Sequence, residues 1–234
     1  MNRRHFAALS LSMLAAPGAP SPVLAQSDKI SRLVIGFPAG QATDVIARLL
    51  AEALKGELGE TVIVDNKPGQ GGSIALGQVT RATPDGTTMI LAPLASLVIN
   101  PHLYKNVAYN TFAGFEPVSR VCDLPLVLVV HPSLPVKTLP ELIAYAKANP
   151  DKLSHPSAGN GTLSHVVMEE FKSRAGIRML HVPYQGSPPA MNDLVAGNVQ
   201  VAMDTVTVTK PHIDGGRLRP IARSEEHTSE LQSR

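Results

Sequence analysis

LSHPSAGNGTLSHVVMEEFKSRAGIRMLHVPYQGSPPAMNDLVAGNVQVAMDTV, residues 153–206, is the stretch whose reading decides the fold. Three short β-type runs are joined or followed by small-residue loops, and each loop opens a helix. One of them, Ala158-Gly159-Asn160-Gly161-Thr162, puts flexible backbone at a helix N-terminus. The first amides of a helix have no intrahelical acceptor, and the helix dipole is positive at that end. Several free N–H groups are therefore expected in this loop, in a geometry that suits a carboxylate.

The rest of the chain keeps the same rhythm. Residues 33–36 read as a short apolar strand ending in a turn at Pro38 and Gly40. Over 43–55, Val45, Ile46, Leu49, Leu50, Ala53 and Leu54 recur at helical spacing, with Gly56 and Gly59 to close the helix. Residues 61–64 form a β-branched strand and 73–83 a helix. Pro84-Asp85-Gly86 then turns into a strand over 87–92. The continuous apolar run 126–130 predicts a buried parallel strand. Thr138 is placed as an N-cap, with Pro140 in the first turn, Glu141 completing a capping box and the helix ending before Pro150. Alternating strands and helices predict an α/β fold built on parallel sheet. A composition change at 117–123 divides it into a first lobe at 27–121 and a second at 122–222.

The segments 157–165, His181-Val182-Pro183-Tyr184-Gln185-Gly186, and Asn66-Lys67-Pro68-Gly69 with Gly71-Gly72 carry a resemblance. Together with 36–44 and Pro84-Asp85-Gly86-Thr87, they resemble the Bug family, the periplasmic substrate-binding proteins of tripartite tricarboxylate transporters. The resemblance runs from about Ile30 to Ala222. It implies a two-lobed, type II periplasmic-binding-protein-like architecture with a ligand cleft between the lobes. It also implies a small carboxylate ligand (a di- or tricarboxylate, an acidic amino acid or an aromatic acid) held largely by backbone amides and waters. Delivery to integral-membrane permease subunits would follow. In the family the chain returns to the first lobe after a strand equivalent to 218–222. Those closing elements are absent from this sequence, so the polypeptide as written is expected to fold poorly.

Open α/β sheets bind ligands at the carboxyl ends of their strands. That selects two loops: Pro38, Ala39, Gly40 and Gln41 up to Asp44, and Ser157, Gly159, Asn160, Gly161 and Thr162. If the lobes face each other, the two helix N-termini converge on one cleft. Asp44 either caps its helix or touches the ligand. Ser96 is a hydroxyl donor or a plain loop residue. Asn160 and Thr162 donate to a carboxylate or simply form the turn. Tyr184 walls the cleft. Asp204 resembles the reader of a ligand amine in related members, or caps a helix. Gln41 stands where the family usually has a second glycine. Its side chain either narrows the loop or donates to the ligand.

Composition narrows the function classes. The chain has 234 residues, 44% hydrophobic and 17% charged, with a net charge of +2, so it offers no basic face for nucleic acid. It has no Trp, five Phe and four Tyr, a poor supply for stacking sugars. The termini read as non-structural. Arg3 and Arg4, the apolar run 6–16 and Val23-Leu24-Ala25 form a Sec or twin-arginine export signal over 1–25, giving a periplasmic protein. Residues 223–234 resemble the in-frame translation of a sequencing adapter. Cys122, the only cysteine, reads as a small buried hydrophobe.

Enzyme signatures are missing. Ile74 occupies the third glycine position of a dinucleotide loop, and neither a Walker motif nor G-x-S-x-G occurs. His155, His165, His181 and His212 lack zinc-site spacing, so no metal and no cofactor are expected. The expectation is a monomeric solute receptor for a small carboxylate. A periplasmic enzyme acting on carboxylic acids and a ligand-sensing partner of a membrane kinase are the alternatives.

Overall fold

The computed structural model describes residues 30–224. The expected export signal at 1–25, and the tail beyond Ser224, lie outside those residues. Three parallel strands, β1 (Ile30–Ile35), β2 (Thr61–Asn66) and β3 (Thr88–Leu91), form a first sheet in the order β2-β1-β3. Helix α1 (Ala42–Leu58) joins β1 to β2. The short helices α2 (Ser73–Val79), α3 (Leu94–Val98) and α4 (Asn100–Leu103) flank β3. Helix α1 runs through Gly56 and stops at Gly59, whose left-handed backbone (φ 65°) lets its N–H reach the Lys55 carbonyl. Gly56 was an expected stop. A helical glycine costs only about 1 kcal/mol, so the stop falls where positive φ is needed.

Beyond an irregular connection at 115–125 comes the second group of elements. These are β4 (Leu126–Val130), α5 (Leu139–Ala148), β5 (Ser154–Ser157), α6 (Leu163–Ala175), β6 (Leu180–Pro183), α7 (Ser187–Val195), β7 (Val201–Thr205), α8 (Val206–Asp214) and β8 (Arg219–Arg223). The Thr138 hydroxyl accepts from the Glu141 amide, as the capping pattern predicts, while the Glu141 carboxylate accepts from Lys137 N. Strands β5 and β6 pair in parallel. The Gln200 amide donates to the Ser154 carbonyl at 3.1 Å, tying that pair to the start of β7.

The expectation of a parallel β4 is overturned. β4 is fully buried but runs antiparallel to both β7 and β8. Its run of five apolar residues reports burial on two faces, not strand direction. Leu128 and Val130 enter one core with Leu142, Met168 and Val201, while Val127 and Val129 enter another with Met191, Leu194 and Ala202. Each large side chain so buried contributes about 1.5–3 kcal/mol. A second correction concerns Cys122, which is exposed because the connection carrying it lies outside both cores.

The first group has a smaller core of Leu33, Ile35 and Ala47. It also carries most of the exposed large apolar side chains among the described residues, Leu49, Leu94, Phe112 and Val118 foremost. Of the tail residues, Arg223 ends β8, and the Ser224 amide and hydroxyl meet the Leu126 carbonyl and amide. No described helix is long and apolar enough to cross a membrane.

Candidate ligand cleft

Two adjoining cavities lie between the groups. The inner one, about 70 Å³, is ringed by helix N-termini. Gln41, Ala42 and Thr43 head α1, Thr162, Leu163 and Ser164 head α6, Ser187 heads α7 and Thr205 caps α8. Pro93, Ala95 and Ser96 add the first turn of α3, and Phe37, Leu124 and Leu126 form the apolar wall. Asp204 is the one ionisable side chain on this wall; no Lys or Arg reaches it. With no Lys or Arg among the lining residues, the positive ends of the helix dipoles are what the wall offers an anion. The outer cavity, about 230 Å³, is lined by Pro38, Gly69, Gln70, Tyr104, Gly159, Asn160, Tyr184 and Gly186 among others, and shares Phe37 and Ala158 with the inner one.

The expected site residues divide between these walls. Gln41, Ser96, Thr162 and Asp204 meet at the inner cavity, and Pro38, Gly159, Asn160 and Tyr184 at the outer. Ala39, Gly40, Asp44, Ser157 and Gly161 line neither. Ala39 and Gly40 are exposed. Asp44, in the first turn of α1, is engaged within the protein: its carboxylate accepts from the Gly40 amide just before the helix at 3.0 Å, from Asn66 and from Arg48. Burial alone would raise its pKa, but Arg48, Gly40 and Asn66 together hold it below the usual carboxylate range.

The Ser157–Thr162 loop is less open than its composition suggests. The Ala158 amide donates to Ser164 Oγ (3.1 Å), Gly159 to Ser157 Oγ (3.2 Å), Gly161 to His165 Nδ1 (3.2 Å) and Thr162 to the Gly159 carbonyl (3.3 Å). Flanking side chains take the amides of Ala158, Gly159 and Gly161, and a backbone carbonyl takes that of Thr162. The amides left without an intrahelical acceptor are those of Leu163 and Ser164, both on the inner wall. Ala42 and Thr43 hold the equivalent positions on α1.

Other polar groups are committed too. The Ser96 hydroxyl donates to the Gly71 carbonyl at 2.7 Å. The Tyr184 hydroxyl donates to Asp193, and burial together with that carboxylate pushes its pKa up to about 12. Asp204 accepts from the Ser187 hydroxyl and the Thr205 amide. Its complete burial nevertheless raises its pKa above the ordinary value. Ser187 and Thr205 were missed as wall residues, although a glycine before Ser187 and an acid before Thr205 each mark a helix start.

A histidine stack supports the α6 side. The His165 and His181 rings stack at 4.1 Å, and His181 and His155 at 4.9 Å. His181 Nε2 lies 2.7 Å from Ser157 Oγ. Burial is the main cause that lowers the pKa of all three, His155 and His181 to about 4. Ligand atoms of His165, Glu169 and His181 lie within 4.8 Å of one another. An ion shared by both imidazoles would have to lie in both ring planes, yet these planes are stacked 17° from parallel. The Gly161 amide also occupies the His165 Nδ1 lone pair. The stack is arranged to brace the loop, and linear spacing hid it because β5, α6 and β6 each supply one ring.

A family model described as the tripartite tricarboxylate transporter family receptor matches residues 46–231. The chain is similar to protein BugT of Bordetella pertussis, 34% identical over 225 residues, covering 95% of this chain and 69% of BugT. Two solved structures share its fold closely. R. palustris Rpa4515 with adipate gives a TM-score of 0.82 at 33% identity, covering 85% of this chain and 66% of that one. MatC from Rhodopseudomonas palustris with bound malate gives 0.78 at 27%, covering 84% and 67%. The chain spans 65% and 58% of the lengths of two further curated relatives. These matches agree with the two-lobed α/β architecture: the chain belongs to the Bug family of tripartite tricarboxylate transporter receptors, a family of periplasmic binding proteins.

Proposed function

We propose that this chain is an exported solute receptor that binds a small dicarboxylate between its lobes and hands it to membrane permease subunits, without turnover. The observation that carries this reading is the convergence of the N-termini of α1, α6, α7 and α8 on one cavity with no basic side chain. A carboxylate there would accept from the amides of Leu163 and Ser164 on one side and Ala42 and Thr43 on the other. Hydrogen bonds to a charged acceptor contribute about 1.5–3 kcal/mol each. A few of them, less the entropy of association, reach the roughly −8 kcal/mol of micromolar binding. Related receptors hold adipate and malate, both dicarboxylates, which supports this ligand class. Pro38, Gly159, Asn160 and Tyr184, on the outer cavity, would meet the ligand's distal end.

Thermal denaturation with a carboxylate panel tests the proposal. A ligand at 100 times its Kd adds about 2.7 kcal/mol, which raises Tm by roughly 5–10 °C for a chain of this size. Adipate, malate or another dicarboxylate should shift the midpoint, whereas the matching diamide should not. A panel that moves it for no acid removes the proposal.

A further inference from the structure

Gln41 and Ser187 are 146 positions apart in sequence, yet the Gln41 side-chain oxygen accepts a buried hydrogen bond from the Ser187 amide at 3.2 Å. Gln41 is the N-cap residue of α1 in the first lobe, and Ser187 is the first residue of α7 in the second. Helix α7 is unusual in what it offers there. Pro188 and Pro189 follow Ser187 and carry no N–H. The Gly186 amide before it donates to the Ala158 carbonyl at 3.1 Å. Ser187 therefore supplies the single free amide of the first turn, and a side chain from the opposite lobe takes it.

The backbone around this bond is shaped for close approach. Gly186 has φ 109°, and a Cβ on it would lie 2.3 Å from Pro38 Cγ and 3.0 Å from the Gln41 side-chain oxygen. The absence of a side chain at Gly186 is what lets the Pro38–Gln41 turn press against the head of α7.

We propose that Gln41 is an interlobe latch: its amide oxygen occupies the position at α7 that a ligand carboxylate oxygen would otherwise take, and holds the cleft shut without ligand. The inference rests on the receptor reading for its purpose but not for its test. Carboxylate capture is left to α1 and α6, while α7 serves closure. A neutral acceptor suits this task, because it satisfies the amide without adding a charge that would repel an anionic ligand.

The test measures lobe separation in the full chain by double electron–electron resonance. Spin labels are placed at Glu52→Cys on α1 and Lys147→Cys on α5, with Cys122→Ser removing the exposed thiol. Without ligand, the parent protein should show a predominantly short distance. Gln41→Ala should raise the open-to-closed ratio about 2- to 12-fold, the range for one buried hydrogen bond. Gln41→Asn, one methylene too short to reach, should do the same, and Gln41→Glu, which keeps the acceptor, should restore closure. Unchanged distance distributions for both Gln41→Ala and Gln41→Asn would overturn the latch. Adding adipate and malate separates the two ideas. If neither binds, the receptor reading fails while the ligand-free distances still decide the latch.

Discussion

The Ser187 hydroxyl donates to Asp204 Oδ2 at 2.7 Å, and both residues are buried on the wall of the inner cavity. This pair places an acid where the helix dipoles favour anions. Burial raises the Asp204 pKa above its ordinary value, so the proton-bound form is the one compatible with an anionic neighbour. As pH rises through that raised pKa, Asp204 ionises and dicarboxylate affinity should fall. Asp204→Asn should flatten this dependence in calorimetric titrations, and above the raised pKa it should bind about 10-fold more tightly than the parent, roughly 1.4 kcal/mol for one screened repulsion. For stability, an acid with a raised folded pKa becomes increasingly unfavourable above the unfolded value, so the same variant should melt higher at neutral pH.

The histidine stack sets an acid limit on the fold. His155 and His181 titrate at about 4 when folded and near 6.5 when unfolded. The unfolded chain binds more protons in that window, so stability is full above about pH 6.5 and is lost as pH falls towards 4. His155→Phe keeps a ring in the stack and removes one titrating group. Urea midpoints measured from pH 7 to 4 should decline less steeply in that variant than in the parent.

Two glycines should respond oppositely to the same change. A Cβ on Gly36, at the end of β1, would lie 2.4 Å from Gly72 Cα and 3.0 Å from the Gly72 carbonyl, both of them backbone. Gly36→Ala should therefore cost about 2–3 kcal/mol in urea denaturation, the scale of core overpacking. Gly56 is helical, with nothing within 4 Å of its would-be Cβ. Gly56→Ala should stabilise by about 0.5–1 kcal/mol.

Much of the fold was legible because short-range periodicity encodes it. The helices headed by Thr162 and Thr138, and the strands before them, follow from residues within a few positions of one another. The direction of β4 did not, since an apolar run reports two buried faces and is silent about which strands lie alongside. The candidate site was legible by half. Gln41, Ser96, Thr162 and Asp204 reach one wall because strand ends converge in this architecture. The self-bonded loop, the three-ring stack and the Gln41–Ser187 contact depend on pairings across elements that no local pattern specifies.

The most direct test of the central claim is a crystal structure of the full chain grown with adipate or malate. A ligand carboxylate is expected within hydrogen-bond distance of the Leu163 and Ser164 amides, with the α1 amides of Ala42 and Thr43 facing it. A dicarboxylate bound only at the outer cavity, or anchored by Lys or Arg side chains away from these helix ends, would contradict the account.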